Sequence, residues 1–290
     1  MMPRSERKLN CQILSHGLEL KLASAGADET ASRHLLTAAT WFEKNAQVDP
    51  TNAVEDRYLA ALGYYLAGHY AQAYVLFRNA NSLPHPHAAY SLLRQLFVKE
   101  LPEIAADNAV ILARREYTDS GITSDLTSGI IAEGDAVERA LIASMYAAFG
   151  DVYAYVRSGD AARIDRALGL IDTCYRIASE APFLHATAYP ALLQGATAML
   201  RELRDNSLWT RLDEMRCADR TGLLQRYIEL AVRRSPPLVE LWPSQVIAIP
   251  KINEGDSGSR PNFLVKMPTS AGKTNIAELS ILRFLIDEFP

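Results

Sequence analysis

Proline stands at positions 50 and 84, and the alanine pairs 39/73 and 46/80 repeat at the same 34-residue spacing. Proline has no amide hydrogen and its ring collides with the preceding turn, so each one closes a helical run. Between these stops, apolar residues recur every third or fourth position, the period of one helix face. The spacing predicts a helix over 31–46 with Leu35, Ala38, Phe42 and Ala46 on one face. It predicts a pair of helices over 54–66 and 70–81, with Gly68 marking the turn between them. One hairpin cannot bury its apolar face alone, so a repeat of this kind restricts the chain to helical hairpins packed on their neighbours.

The residues Ala61, Tyr64, Gly68, His69, Tyr70, Ala71, Gln72, Ala73, Phe77 and Ala80 resemble a single tetratricopeptide unit. The alanines allow close approach of the paired helices, and Tyr64 and Phe77 fill the space between them. The register then degrades. Around 101–116 the helical pattern continues without the period, and Gly159-Asp160 followed by Ala167, Ile171 and Ala178 gives a stretched echo. The expectation is an irregular α-helical domain over 25–235 with tetratricopeptide-like hairpins, preceded by a flexible segment 1–24. Its internal break is expected at 117–134, rich in Thr, Ser, Asp and Gly. Asp135 and Glu138 have the spacing of a capping box for a long helix through Ala148. Another helix is expected after Asp205 and Asn206, and Arg233, Arg234, Ser235, Pro236 and Pro237 close the helical region.

A different pattern follows. The short apolar run Phe263, Leu264, Val265 reads as a buried strand, and Ile276, Leu279, Leu282, Leu285 and Ile286 repeat at helical spacing. Between them lie Lys266, Met267, Pro268, Thr269, Ser270, Ala271, Gly272, Lys273 and Thr274. Strand, tight loop and helix N-terminus together form a nest of backbone N–H groups suited to phosphates. Gly272 lets the backbone approach them, Lys273 reaches the β- and γ-phosphates, and the Thr274 hydroxyl ligates Mg²⁺. The first glycine of G-x-x-x-x-G-K-[ST] falls on Met267, so that pattern is not met in full.

Pro268, Thr269, Ser270, Ala271, Gly272, Lys273 and Thr274 resemble motif I of superfamily 2 DEAD/DEAH-box helicases. The continuation Asn275, Ile276, Ala277, Glu278, Leu279 looks like the Ski-type branch. Upstream, Leu241, Trp242, Pro243, Ser244, Gln245, Val246, Ile247, Ala248 and Ile249 resemble the Q motif of the same helicases, with Gln245 placed 28 residues before Lys273. The resemblance covers about the last fifth of the chain. It implies that 236–290 begin a RecA-like α/β phosphate-loop domain. It further implies ATP and Mg²⁺ as cofactors, held by Gln245 on the adenine and by Pro268 through Asn275 around the phosphates. In that reading Lys273 and Thr274 are the catalytic residues and Thr274 the metal ligand.

The remaining bounds are broad. The chain of 290 residues is 49% hydrophobic and 22% charged, with room for two domains. A net charge of −4 gives no global attraction to nucleic acid. Cys11, Cys174 and Cys217 lack disulfide or metal spacing and are expected as buried or inert thiols in a reducing compartment. No apolar run has membrane-spanning length, and a cytoplasmic location is expected. His85 and His87 flank a proline without further ligands at useful spacing, and read as an inter-helix turn. The pairs Asp213-Glu214 and Asp287-Glu288 read as solvated helix faces, the second about 20 Å along the helix from Lys273.

The expected function is therefore the N-terminal part of an ATP-dependent nucleic-acid helicase or translocase, with a helical domain for partner binding or regulation. DNA or RNA would be gripped by residues outside these 290, and the piece alone is expected to be inactive. Two alternatives stand beside it: another phosphate-loop ATPase with a helical regulatory domain, or a non-enzymatic helical interaction module.

Overall fold

The computed structural model describes residues 4–23, 28–80, 88–99, 135–180, 189–234, 237–253, 266 and 272–288. Among the described residues the chain is mostly helical. The helices are α1 (Arg4–Ala23), α2 (Glu29–Val48), α3 (Ala53–Leu66), α4 (Tyr70–Ala80), α5 (Ala88–Phe97), α6 (Asp135–Ser158) and α7 (Ala161–Glu180). They continue with α8 (Tyr189–Asn206), α9 (Leu208–Arg211), α10 (Asp213–Ala218), α11 (Leu223–Val232), α12 (Pro243–Asn253) and α13 (Lys273–Glu288). The chain divides into two compact units, Met1–Tyr153 with Ala161–Leu200, and Ala154–Asp160 with Arg201–Pro290.

In the first unit, local chemistry sets the helix ends. The Asp28 carboxylate accepts hydrogen bonds from the N–H groups of Thr30 (2.8 Å) and Ala31 (3.2 Å), satisfying donors that α2 cannot pair internally. Asp49 leaves the helical conformation (φ −109°, ψ 96°), as a residue before proline must. The predicted face of α2 is buried, Leu35, Ala38, Phe42 and Ala46 included. Helix α3 is buried on most of its circumference, and Gly63 brings it against α2: a Cβ there would stand 2.8 Å from the Leu35 carbonyl oxygen. Between α3 and α4, Gly68 (φ 87°) donates to Tyr65 O and His69 to Tyr64 O, the paired bonds of a Schellman turn. The hairpin thus forms at the expected place, with Tyr64, Ala73, Phe77 and Ala80 in its core. Residues 1–24, expected to be flexible, contribute the helix α1 instead, tied down by Arg7. Its guanidinium donates to Asp56 on α3 (3.0 and 3.1 Å) and pairs with Glu55.

Helix α6 starts at Asp135 as expected but continues past Ala148 to Ser158. Nothing between them stops it. The stop is Gly159, in the left-handed conformation (φ 72°) with its N–H donated to Tyr155 O at 2.7 Å. Helix α7 buries the predicted Ala167, Ile171 and Ala178, and with them Ile164 and Cys174 on the same face. Burial pushes the Cys174 and Cys11 thiols up to about 11, whereas Cys217 stands exposed on α10.

Asp151 on α6 joins α7 through Arg166 (2.5 Å to each carboxylate oxygen) and Arg163 (3.0 Å). Hydrogen bonding to Arg166 holds its carboxyl below the ordinary range, against partial burial. A depressed folded pKa contributes stability present above the unfolded value of about 3.9 and lost as pH falls through the folded value. Asp151→Asn is therefore expected to be less stable than the wild type near neutrality. The gap should close as pH falls from ~5 to ~2, read as urea midpoints across that window.

In the second unit, the single helix expected after Asn206 is broken into α9, α10 and α11. Ser207 caps α9 through Thr210 N–H at 3.2 Å, and Leu212 departs from helical geometry between α9 and α10. Asp219 then accepts from the backbone N–H groups of Thr221, Gly222 and Leu224, with Gly222 at φ 72°, so the chain must turn before α11. These side chains bond their own backbone more readily than they extend a helix. Leu208, Met215, Leu224 and Ile228 share one core with Ile249, Ile252, Ile276, Leu279 and Ile286. The boundary expected at 235/236 therefore falls inside a continuous core. The pairing among described residues outside helices is an isolated antiparallel bridge between Ser207 and Glu240. The expected RecA-like α/β start is not shown: among the described residues this part of the chain holds the helices α12 and α13, and the predicted strand 263–265 lies outside them.

Candidate phosphate-binding turn

Two helix starts meet at the candidate site. Helix α12 begins with Pro243, where proline's missing N–H costs nothing. Two positions on, the Gln245 carboxamide oxygen accepts the Trp242 N–H at 2.8 Å. A glutamine at the third helical position reaching back to the cap is half of a capping box. The other end of the same carboxamide donates from Nε2 to the Gly272 carbonyl at 3.2 Å. Gln245 is 1% exposed.

Gly272 sits directly before α13 in the left-handed conformation (φ 73°), which glycine adopts without steric cost. Its carbonyl also accepts from Asn275 N–H (3.1 Å), closing the first turn of the helix. A Cβ at this position would lie 2.2 Å from Gln245 Nε2. Lys273 and Thr274 follow as the first two helical residues, both exposed, with Asn275 half-buried behind them. Below the turn, Ile276, Leu279, Leu282 and Ile286 anchor α13 in the core, while Leu285 is half-buried.

Helix α13 is also held from the side. Tyr227 on α11 donates to the Glu278 carboxylate at 3.2 Å, and Arg234 pairs with the same group at 3.0 Å. The Arg234 guanidinium lies over the Tyr227 ring, 5.8 Å from its centroid. Burial and then the Glu278 charge push the Tyr227 hydroxyl up to about 12, so it remains a donor. Sequence reading missed this anchor. Glu278 is separated from Tyr227 by 51 residues and from Arg234 by 44, and no local period links them.

Of the predicted site residues, the structure brings Gln245, Gly272, Lys273, Thr274 and Asn275 together at one turn. Met267, Pro268, Thr269, Ser270 and Ala271 lie outside the described residues, as do His85 and His87. The adenine-reading role expected of Gln245 meets a geometric obstacle, since both ends of its carboxamide bond backbone groups of this chain. Asp213 pairs with Arg216 and Asp287 with Arg283, on exposed or partly exposed helix faces as expected. Among the described residues no cluster of three His, Cys, Asp or Glu side chains could hold a metal ion. None of the described helices is long and apolar enough to cross a membrane.

This geometry describes a glycine-hinged helix start carrying an exposed lysine and threonine. Comparison with known proteins does not support the affiliation that the motifs suggested. The chain is 20% identical over 229 residues to Hachiman protein HamB from Bacillus cereus, a match covering 79% of this chain and 18% of that protein. It therefore spans less than a fifth of the length of the relative it matches. No family model matches the chain. The assignment to superfamily 2 DEAD/DEAH-box helicases of the Ski type is accordingly withdrawn: a short motif with methionine at its first glycine position does not carry a family by itself.

Proposed function

We propose that the turn at Gly272 is a phosphate-binding site for ATP with Mg²⁺, and that this chain supplies it to a longer ATP-hydrolysing protein. The observation that carries the reading is Gly272 at φ 73° immediately ahead of exposed Lys273 and Thr274 on the first turn of a 16-residue helix. As at any helix start, the first N–H groups of α13 have no carbonyl partners within their own helix, apart from Asn275 N–H, which bonds the Gly272 carbonyl. Those donors and the positive end of the helix dipole favour an anion, and Lys273 adds a full charge. The Thr274 hydroxyl, one residue on, would supply a ligand to Mg²⁺, which would neutralise phosphate charge.

In the longer protein, hydrolysis would drive work on nucleic acid, DNA or RNA, gripped by residues outside this chain. The helical hairpins of 25–235 would serve partner binding or regulation. A net charge of −4 agrees with a grip located elsewhere.

Binding of ATP and Mg²⁺ to the 290-residue chain, followed by calorimetry, tests the reading. Lys273→Ala is expected to weaken ATP by roughly 10- to 100-fold, the scale of one charge-assisted contact. Thr274→Ala should weaken ATP only when Mg²⁺ is present. Equal affinity of wild type and Lys273→Ala would remove the site.

A further inference from the structure

We propose that Gln245 shapes the phosphate turn and does not read the base, so that the site selects nucleoside triphosphates by their phosphates without adenine preference from this residue. The inference rests on the phosphate-site reading above and deepens it.

A carboxamide recognises an adenine edge by presenting one donor and one acceptor to it together. Gln245 presents neither outward. Its oxygen accepts from Trp242 N–H at 2.8 Å, its nitrogen donates to Gly272 O at 3.2 Å, and the residue is 1% exposed. The contact with Gly272 is shaped on both sides. Gly272 needs its left-handed φ of 73°, and the space a side chain would take there is filled by Gln245 Nε2, 2.2 Å from the ideal Cβ position.

The mechanical consequence follows from peptide planarity. The Gly272 carbonyl accepts from Gln245 and, at 3.1 Å, from Asn275 N–H. Two donors fix the plane of the peptide joining Gly272 to Lys273, and with it the direction of the Lys273 N–H. That N–H is one of the donors offered to a phosphate. Gln245 thus acts as a positioning residue. It joins the start of α12 to the start of α13 across 27 residues of chain.

The test uses the 290-residue chain with Mg²⁺ and three probes: ATP, GTP and inorganic tripolyphosphate. Affinities are compared among wild type, Gln245→Ala and Gln245→Glu, each with its melting temperature. Gln245→Glu keeps the shape and the acceptor for Trp242 N–H, but sets an oxygen against the Gly272 carbonyl. It carries the test if Gln245→Ala is poorly folded.

The expected result is a loss of about tenfold, the scale of one hydrogen bond, equal for all three probes and with the ATP-to-GTP ratio unchanged. Loss confined to ATP, with tripolyphosphate untouched, overturns the inference and restores base reading. No loss in either variant also overturns it. If wild-type chain binds none of the three probes, the phosphate-site reading itself fails, and that failure is visible before any variant is made.

Discussion

Replacing Asp56 by alanine is expected to lower the unfolding free energy by about 3–4 kcal/mol, measured by urea denaturation at neutral pH. Asp56 has no exposed side-chain surface and joins three helices: it accepts from Arg7 on α1 at 3.0 and 3.1 Å and from Asn45 on α2 at 2.6 Å. Truncation leaves the Asn45 amide without this acceptor in the core, and leaves Arg7 with Glu55. Glu55 keeps the cost toward the lower end of what breaking a buried pair usually brings. Burial raises the Asp56 carboxyl above the ordinary range despite Asn45 and Arg7, so desolvation outweighs the attraction. Its linkage therefore runs opposite to that of Asp151. The contribution is fullest below the unfolded aspartate value and declines as pH rises through the folded one. The same imbalance predicts that replacing Asp56 and Arg7 together by apolar residues of similar volume costs much less than the single truncation. A double variant as unstable as Asp56→Ala would show that the pair contributes net attraction after all.

The second large effect is expected at Gly159, where alanine should cost about 2–4 kcal/mol. Two separate penalties meet there. The backbone is left-handed (φ 72°), and a Cβ would stand 2.6 Å from Trp209 Cδ2 and 2.8 Å from Cε3. The indole cannot easily retreat. Its Nε1 donates to Val156 O at 2.8 Å, one turn back on α6, and Tyr155 OH and Ser207 Oγ are bonded nearby at 2.6 Å. Gly222 supplies the control, because it has the same φ of 72° with nothing within 4 Å of its ideal Cβ. Gly222→Ala should show the backbone strain alone, on the order of 1 kcal/mol. Equal losses at the two glycines would mean that the Trp209 contact relaxes freely.

How far the site was legible depends on the distance between the residues that make it. Gly272, Lys273, Thr274 and the apolar spacing of Ile276, Leu279 and Ile286 lie within about four turns of chain, so their relation is visible in order and period. Gln245 was recognisable by its position, but its role was not. The carboxamide could as well have faced a base as a carbonyl, and only the approach of α12 to Gly272 decides which. Family affiliation was over-read from the same few residues: no family model matches the chain, and the relative it resembles over 229 residues, Hachiman protein HamB, is 20% identical to it.

The amino-acid order by itself determined the helices and many of their ends. Pro50 closes α2, Gly68 turns α3 into α4, and the three- and four-residue spacing of Leu35, Ala38, Phe42 and Ala46 selects a buried face. Those properties depend on backbone sterics and on neighbours within one or two turns. The bonds of Asp56 to Arg7, Gln245 to Gly272, and Tyr227 and Arg234 to Glu278 span between 27 and 51 residues. The seat of Trp209 over Gly159 is as distant in sequence, with 53 residues between its indole and the Val156 carbonyl. A buried polar group needs a partner, and the chain order does not say which one packing will bring within 3 Å. Tertiary structure alone made those choices.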